Sequence, residues 1–120
     1  MAKLDFEKKL LIAVDFGLLA LGENNRTAIY YHLRKSFRLE REKIPNDPEK
    51  FSQALNSIFG PGAEVIEKFV IEDLYSKLGL NFEEETSFKF IDYVRRAQES
   101  LSSQAQSFVE SVKMKRRGKF

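Results

Sequence analysis

The feature that most constrains this chain is an apolar stretch that runs from Leu10 to Leu21. It contains Asp15 and Gly17 and is only 12 residues long, whereas a helix that crosses a bilayer needs about 20 apolar residues. Its leucine and valine side chains recur three, four and seven positions apart, which places them on one face of a helix. The stretch therefore predicts a core helix over residues 5–21 and no membrane segment.

Glycine and proline divide the rest of the chain into further helical segments. Asp47 before Pro48 is a typical helix start, because aspartate caps the first turn and proline fits its first position. Gly79 followed by Leu80 predicts a Schellman-type helix end. The sequence thus predicts an all-α fold, a compact bundle of four short helices plus a long C-terminal helix. The predicted helices span residues 5–21, 26–39, 48–59, 63–78 and from 88 onwards.

The last predicted helix is too long for a small four-helix core. No glycine or proline interrupts the chain between Phe88 and Gly118, a length of roughly 40 Å if fully helical. Apolar residues there alternate spacings of three and four, which is typical of a heptad seam. We therefore expect residues 1–97 to form a helical domain, and residues 98–120 to form a C-terminal helix extension with a basic tail that pairs with a second copy. The candidates for the dimer interface are Leu101, Ala105, Phe108, Val109 and Val112.

Cysteine is absent from the sequence and histidine occurs once, as His32. Disulfides, thiolate metal sites, cysteine nucleophiles and multi-histidine metal sites within one chain are therefore excluded. His32 precedes the predicted core residue Leu33, where a histidine is more often a structural hydrogen-bonding residue than a general base. The sequence thus predicts no cofactor, no metal and no enzyme activity. The amino terminus lacks a signal-peptide pattern, so we expect a cytoplasmic location.

The formal net charge of +2 hides an uneven distribution. Residues 113–120 carry five basic residues and no acidic one, so residues 1–112 carry 15 basic against 18 acidic residues, a net charge of −3. A basic end of this kind can contact nucleic-acid phosphates, or it can simply keep the end of the chain solvated. The tail residues that are candidates for anion binding are Lys113, Lys115, Arg116 and Arg117.

A second basic feature, the basic stripe, lies on the predicted second helix. Its members follow a near four-residue spacing, so they share one face if the helix continues through residue 41. Phosphates would relieve the repulsion between neighbouring arginines. In the alternative interpretation the stripe is a solvated face that pairs with the acidic segment 64–85. The stripe consists of Arg26, Tyr30, Arg34, Arg38 and Arg41.

Four short motifs, together with Ile44-Pro45, are similar to those of a known family. Residues 26–33 read Arg-x-Ala-Ile-Tyr-Tyr-His-Leu, and residues 59–67 read Phe-Gly-Pro-Gly-Ala-x-Val-Ile-Glu. Residues 74–80 read Leu-Tyr-x-Lys-Leu-Gly-Leu, and residues 90–93 read Phe-x-Asp-Tyr. In these motifs, over about residues 8–97, the chain resembles the Nitrosopumilus output domain family, small all-helical archaeal domains. The resemblance implies a signalling or interaction module with no assigned enzyme activity.

The functional prediction follows from the predicted long helix and from this resemblance. We expect a non-catalytic protein-interaction or signalling output module that acts as a homodimer through its C-terminal helix. Its expected partners are a second copy of the chain and another protein, with no membrane. The alternative is a small nucleic-acid-binding protein that uses the basic stripe and the basic tail.

Overall fold

The structure, a computed structural model, describes residues 2–84 and 87–101, which contain helices and no strand. This confirms the predicted all-α fold. The helices are α1 (Ala2–Leu19), α2 (Glu23–Phe37), α3 (Pro48–Phe59), α4 (Ala63–Leu78) and α5, which is helical from residue 90 to residue 101. Short 3-10 turns at Arg41–Asn46 and Gly60–Gly62 lead into α3 and α4.

Helix α1 lies at the centre of the fold. It begins and ends a few residues before the predicted 5–21 and packs most extensively against α4. It also contacts α2 and the 3-10 turn that follows α2. All five helices contribute side chains to one core, in which Leu10, Leu33, Phe51, Val70 and Val94 are buried.

Two predicted helix ends are confirmed. The Asp47 side chain accepts a hydrogen bond from the Lys50 backbone N–H at 3.1 Å and caps α3. Gly79 adopts the left-handed conformation with φ 71°, and the Leu80 N–H donates to the Tyr75 carbonyl at 2.8 Å. Both features depend only on neighbouring residues, which is why the local sequence predicts them.

Helix α2 differs from its predicted range of 26–39. It begins right after Gly22 and ends at Phe37, because Arg38 takes the left-handed conformation with φ 52°. The Leu39 N–H then bonds back to the Leu33 carbonyl at 3.0 Å, and the Leu39 side chain enters the core. Burial of this leucine offsets the strain of a non-glycine residue at positive φ.

Helix α5 is part of the domain along its described length. The Phe90 ring packs against Phe51, with centroids 5.8 Å apart. The Tyr75 hydroxyl donates to the Tyr93 carbonyl at 2.7 Å. The helix continues without a break past Ala97, and Leu101 packs against the same core. The remainder of the predicted long helix lies outside the described residues.

Candidate functional site

Helix α1 presents a row of large apolar side chains to solvent, the α1 outer face, which consists of Ile12, Phe16 and Leu19. Their spacing of four and three residues places them along one side of the helix. Between 45% and 51% of the surface of each is exposed. Single exposed apolar residues are ordinary, whereas a contiguous row is typical of a surface that binds another protein.

The opposite side of α1 is fixed by its contact with α4. A Cβ atom added at Gly17 would lie 2.5 Å from Val70 Cγ2 and 3.3 Å from the Ile66 carbonyl oxygen. Only glycine allows the two helices to approach this closely. Because Leu10, Val14 and Leu18 on the same side are fully buried, α1 cannot rotate to hide its outer face without emptying the core.

Helix α4 adds two exposed apolar side chains of its own. Val65 and Phe69 are four residues apart and therefore lie on one side of α4. Phe69 directly precedes Val70, which contacts α1 at Gly17. The two tightly packed helices thus both carry apolar surface that the described residues do not cover.

Exposed residues of opposite charge flank the α1 outer face in the sequence. Lys8 is exposed one turn before Ile12. Glu23, the first residue of α2, is also exposed, and its carboxylate lies 3.8 Å from the Arg26 guanidinium. These opposite charges on either side of the row favour an antiparallel over a parallel second copy.

The basic stripe is not one face of a single helix, because α2 does not continue through residue 41 as the prediction required. Even so, Arg26, Tyr30, Arg34 and Arg41 line one concave surface. Because α2 ends at Phe37, Arg38 lies in the reversal after the helix and Arg41 lies in the following 3-10 turn. Arg26, Tyr30 and Arg34 remain on α2.

Two members of the stripe converge on Asp15 of α1. Arg41 donates from Nη2 to Oδ2 at 2.6 Å and from Nε to Oδ1 at 3.0 Å, and the Tyr30 hydroxyl donates to Oδ1 as well. Partial burial raises the pKa of Asp15, but the bonds from Arg41 and Tyr30 outweigh it, so the pKa lies below its ordinary value. Burial, together with the bond to Asp15, raises the pKa of Tyr30. The Arg41 guanidinium therefore neutralises the Asp15 carboxylate, and the three side chains join α1 to α2 and to the 3-10 turn after α2.

Sequence reasoning missed the role of Asp15, although the signal was visible. An aspartate within an apolar helix needs a partner of opposite charge or a hydrogen-bond donor once it is partly buried. Of the described residues of the acidic segment 64–85, the partner considered for the stripe, Glu64, Asp73 and Glu84 instead pair with lysines of the same segment. Lys68 bonds to Glu64 at 3.3 Å and to Glu84, and Lys77 bonds to Asp73 at 2.5 Å.

The surface around the Asp15 cluster is concave, with a cavity of about 700 Å³. Arg34 lies over the Tyr31 ring at 5.5 Å from its centroid, and Arg26 lies 3.8 Å from Glu23. Three arginines and three carboxylates line the cavity, so its formal charge is balanced. The lining residues with charge are Arg26, Arg34, Arg41, Asp15, Glu40 and Glu42.

The single histidine contributes to an apolar cavity of about 370 Å³ between α2 and the end of α3. The His32 Nδ1 atom lies 3.3 Å from Ser36 Oγ, and its ring meets Phe37 edge-on at 5.7 Å. Among the described residues, no carboxylate lines this cavity. The contacts of His32 are those expected of a structural residue.

The predicted C-terminal sites are only partly within the structure. Leu101 is half-buried and packs against the core of its own domain. The following candidates lie outside the described residues: Ala105, Phe108, Val109, Val112, Lys113, Lys115, Arg116 and Arg117.

Residues 2–84 and 87–101 contain no group of three or more His, Cys, Asp or Glu side chains that could hold a metal ion. No described helix is long and apolar enough to cross a bilayer. Comparisons with protein-family models, curated proteins and solved structures find no match. The resemblance to the Nitrosopumilus output domain family therefore stays a prediction.

Proposed function

We propose that this chain is a non-catalytic protein-interaction module that acts as a homodimer through the α1 outer face. The exposure of Ile12, Phe16 and Leu19 in one row is the observation that carries this proposal. A twofold dimer presents the same patch from both copies, so one apolar row can cover its own equivalent. The signalling role implied by the family resemblance, and the cytoplasmic location expected from the sequence, belong to the same proposal.

We infer the orientation of the two copies from Lys8 and Glu23, which flank the face in the sequence. When two α1 helices lie antiparallel with Ile12 against Leu19 of the second copy, Phe16 lies close to the twofold axis. Lys8, four residues before Ile12, then approaches Glu23 of the second copy. A parallel arrangement would instead bring like charges together, which is unfavourable.

The α1 outer face alone supplies only part of the free energy of a stable dimer. Burial of a half-exposed Ile, Phe or Leu contributes roughly 1 kcal/mol, so six side chains contribute roughly 6 kcal/mol. Association costs about 4–15 kcal/mol in lost translational and rotational freedom. We therefore expect the apolar seam predicted after residue 101 to extend the interface.

Light scattering at several protein concentrations tests the proposal. We expect twice the chain mass of 13.9 kDa for the wild type and a monomer for Phe16→Asp, which places a charge near the axis. Ser57→Asp adds the same charge at an exposed position of α3 and should remain a dimer. A chain ending at residue 101 keeps Leu101 in the core and should dimerise more weakly. A monomeric wild type, or equal masses for both aspartate variants, would contradict the proposal.

One observation favours nucleic-acid binding as a second candidate. Arg34 and Arg38 are exposed, and within the described residues neither forms an ion pair. Together with the basic tail they would contact phosphates without reading sequence. This candidate predicts that a labelled DNA duplex binds at low salt and is released by about 0.2 M salt. It also predicts weaker binding by an Arg34→Gln/Arg38→Gln variant, and absence of binding at low salt would exclude it.

A further inference from the structure

A cavity of about 460 Å³ lies between α3, α4 and the start of α5, away from α1. Its wall combines polar and charged side chains with aromatic rings. This combination is typical of a site for a small ligand, because apolar walls supply contact area and a few polar groups fix the orientation. The polar side chains of the wall are those of Glu49, Ser52, Gln53, Asn56, Glu64, Glu67 and Lys89.

Glu67 is the buried polar side chain of this cavity, with 4% of the surface of the residue exposed. Ser52 Oγ donates to its Oε2 atom at 2.5 Å, and no other described residue donates to the carboxylate. Every fully buried side-chain nitrogen or oxygen of the described residues has a hydrogen-bond partner. The other oxygen, Oε1, therefore keeps some exposed surface, and Glu67 is one of the residues that line the cavity.

The surroundings of Glu67 leave its charge uncompensated. Burial raises its pKa, the bond from Ser52 opposes this shift, and the nearby carboxylate of Glu64 adds to it. The closest lysine along α4, Lys68, is engaged with Glu64 and Glu84. Lys89 is the single basic residue among the described residues of the wall, against three carboxylates.

We propose that this cavity binds a small organic cation with a primary ammonium group, anchored by Glu67. An ammonium group has three donors and no acceptor, and the wall offers matching acceptors. Besides Glu67 Oε1, the Asn56 side chain donates from Nδ2 to the Ser52 carbonyl at 2.8 Å, so its carbonyl oxygen remains available as an acceptor. The rings of Phe88 and Phe90 line the same cavity and cover the methylene part of an alkylammonium ligand.

The chemistry of the wall favours this ligand class over the alternatives. An anion would meet three carboxylates, and a bare metal ion would find no group of three suitable side chains within the described residues. A neutral ligand would leave the buried carboxylate without a counter-charge, which costs free energy. The inference does not depend on the proposed dimer, because none of the wall residues belongs to α1.

Isothermal titration calorimetry at low ionic strength with 1,4-diaminobutane tests the proposal. We expect the wild type to bind this diamine and to give no signal with 1,4-butanediol, which has the same chain length without charge. Glu67→Gln keeps the shape of the side chain and its contact with Ser52, and should weaken binding at least about tenfold. The matched control is Glu72→Gln, at an exposed position of α4 outside the cavity wall, which should bind like the wild type.

Further measurements distinguish specific binding from misfolding of a variant and from nonspecific electrostatic attraction. Circular dichroism should show equal helix content for all variants, and Asn56→Ala should weaken binding while it leaves the fold intact. In backbone NMR spectra the diamine should shift the amide signals of residues 52–56 and 64–67. Lack of diamine binding by the wild type would overturn the proposal. So would equal binding by Glu67→Gln, or shifts confined to residues outside the cavity wall.

Discussion

Both sides of helix α1 carry large apolar side chains, but they differ in what covers them. One side, with Val14, Gly17 and Leu18, is packed against α4 so tightly that no side chain fits at Gly17. The other side, with Ile12 and Phe16, is about half exposed. The difference shows that the fold of one chain uses only part of the apolar surface of its central helix. The remaining part is the surface on which the proposed function rests.

Substitution of two neighbouring leucines, one on each side of α1, should give the largest difference in the free energy of unfolding. Leu18→Ala removes a fully buried side chain and should lower the free energy of unfolding by about 3 kcal/mol. Leu19→Ala removes a half-exposed side chain and should cost less than about 1 kcal/mol in the monomer. Urea unfolding at low protein concentration measures both values. Equal decreases in the free energy of unfolding would mean that the two leucines are equally buried, which would contradict the difference between the two sides.

The close approach of α1 and α4 gives the next largest effect. Gly17→Ala places a methyl group 2.5 Å from Val70 Cγ2, and we expect it to lower stability by about 2 kcal/mol. Because Gly17 faces inward, the dimer should persist wherever the variant is folded. Thermal unfolding followed by light scattering separates the two effects. A variant as stable as the wild type would show that the helices do not touch there.

Asp15 lies at the border between the two sides and anchors Arg41 and Tyr30. Asp15→Asn should cost about 1.5 kcal/mol at neutral pH, because it weakens charged hydrogen bonds at a partly exposed site. The pKa of Asp15 in the folded state lies below the ordinary value of 3.8. The Asp15 carboxylate therefore stabilises the fold above pH 3.8, and this stabilisation is lost as the pH falls through the pKa of the folded state. Acid unfolding curves of both proteins should therefore converge at low pH. Parallel curves would rule out a stabilising role for the Asp15 charge.

Substitutions of Lys8 and Glu23, which flank the α1 outer face in the sequence, should have the smallest effect on dimer affinity and test the antiparallel arrangement. Because each substitution removes both Lys8–Glu23 pairs of the twofold dimer, Lys8→Glu and Glu23→Lys should each weaken the dimer by about 1 kcal/mol, roughly fivefold in dissociation constant. The double variant restores opposite charges and should recover the affinity of the wild type. Sedimentation equilibrium at low salt measures the three constants. Additive losses in the double variant would exclude the proposed orientation.

The local elements of this fold were predictable, and the long-range ones were not. The cap at Asp47 and the turn at Gly79 depend on residues a few positions apart, so the sequence pattern predicts them directly. The end of α2 depends instead on the burial of Leu39 among residues that are distant in sequence, and the pattern placed it two residues too late.

The same difference between local and long-range contacts decided which candidate surfaces the sequence could predict. The arginine spacing predicted one helix face only on condition that α2 reaches residue 41, and this condition fails because α2 ends at Phe37. Arg41 instead lies in the following 3-10 turn and bonds to Asp15, 26 positions away in the sequence. Periodicity identified α1 as a core helix correctly. It could not reveal which of its apolar residues would be covered, because that depends on how many neighbouring helices pack around it.

The most direct test of the dimer uses the absence of cysteine in this chain. Phe16→Cys introduces a single thiol close to the proposed twofold axis, where a disulfide between copies needs Cα atoms about 4.4–6.8 Å apart. Under mild oxidation we expect rapid conversion to a covalent dimer on non-reducing gels, while Ser57→Cys, exposed on α3, stays largely monomeric. Equal rates of cross-linking, or none for Phe16→Cys, would contradict the claim that the α1 outer face joins two copies.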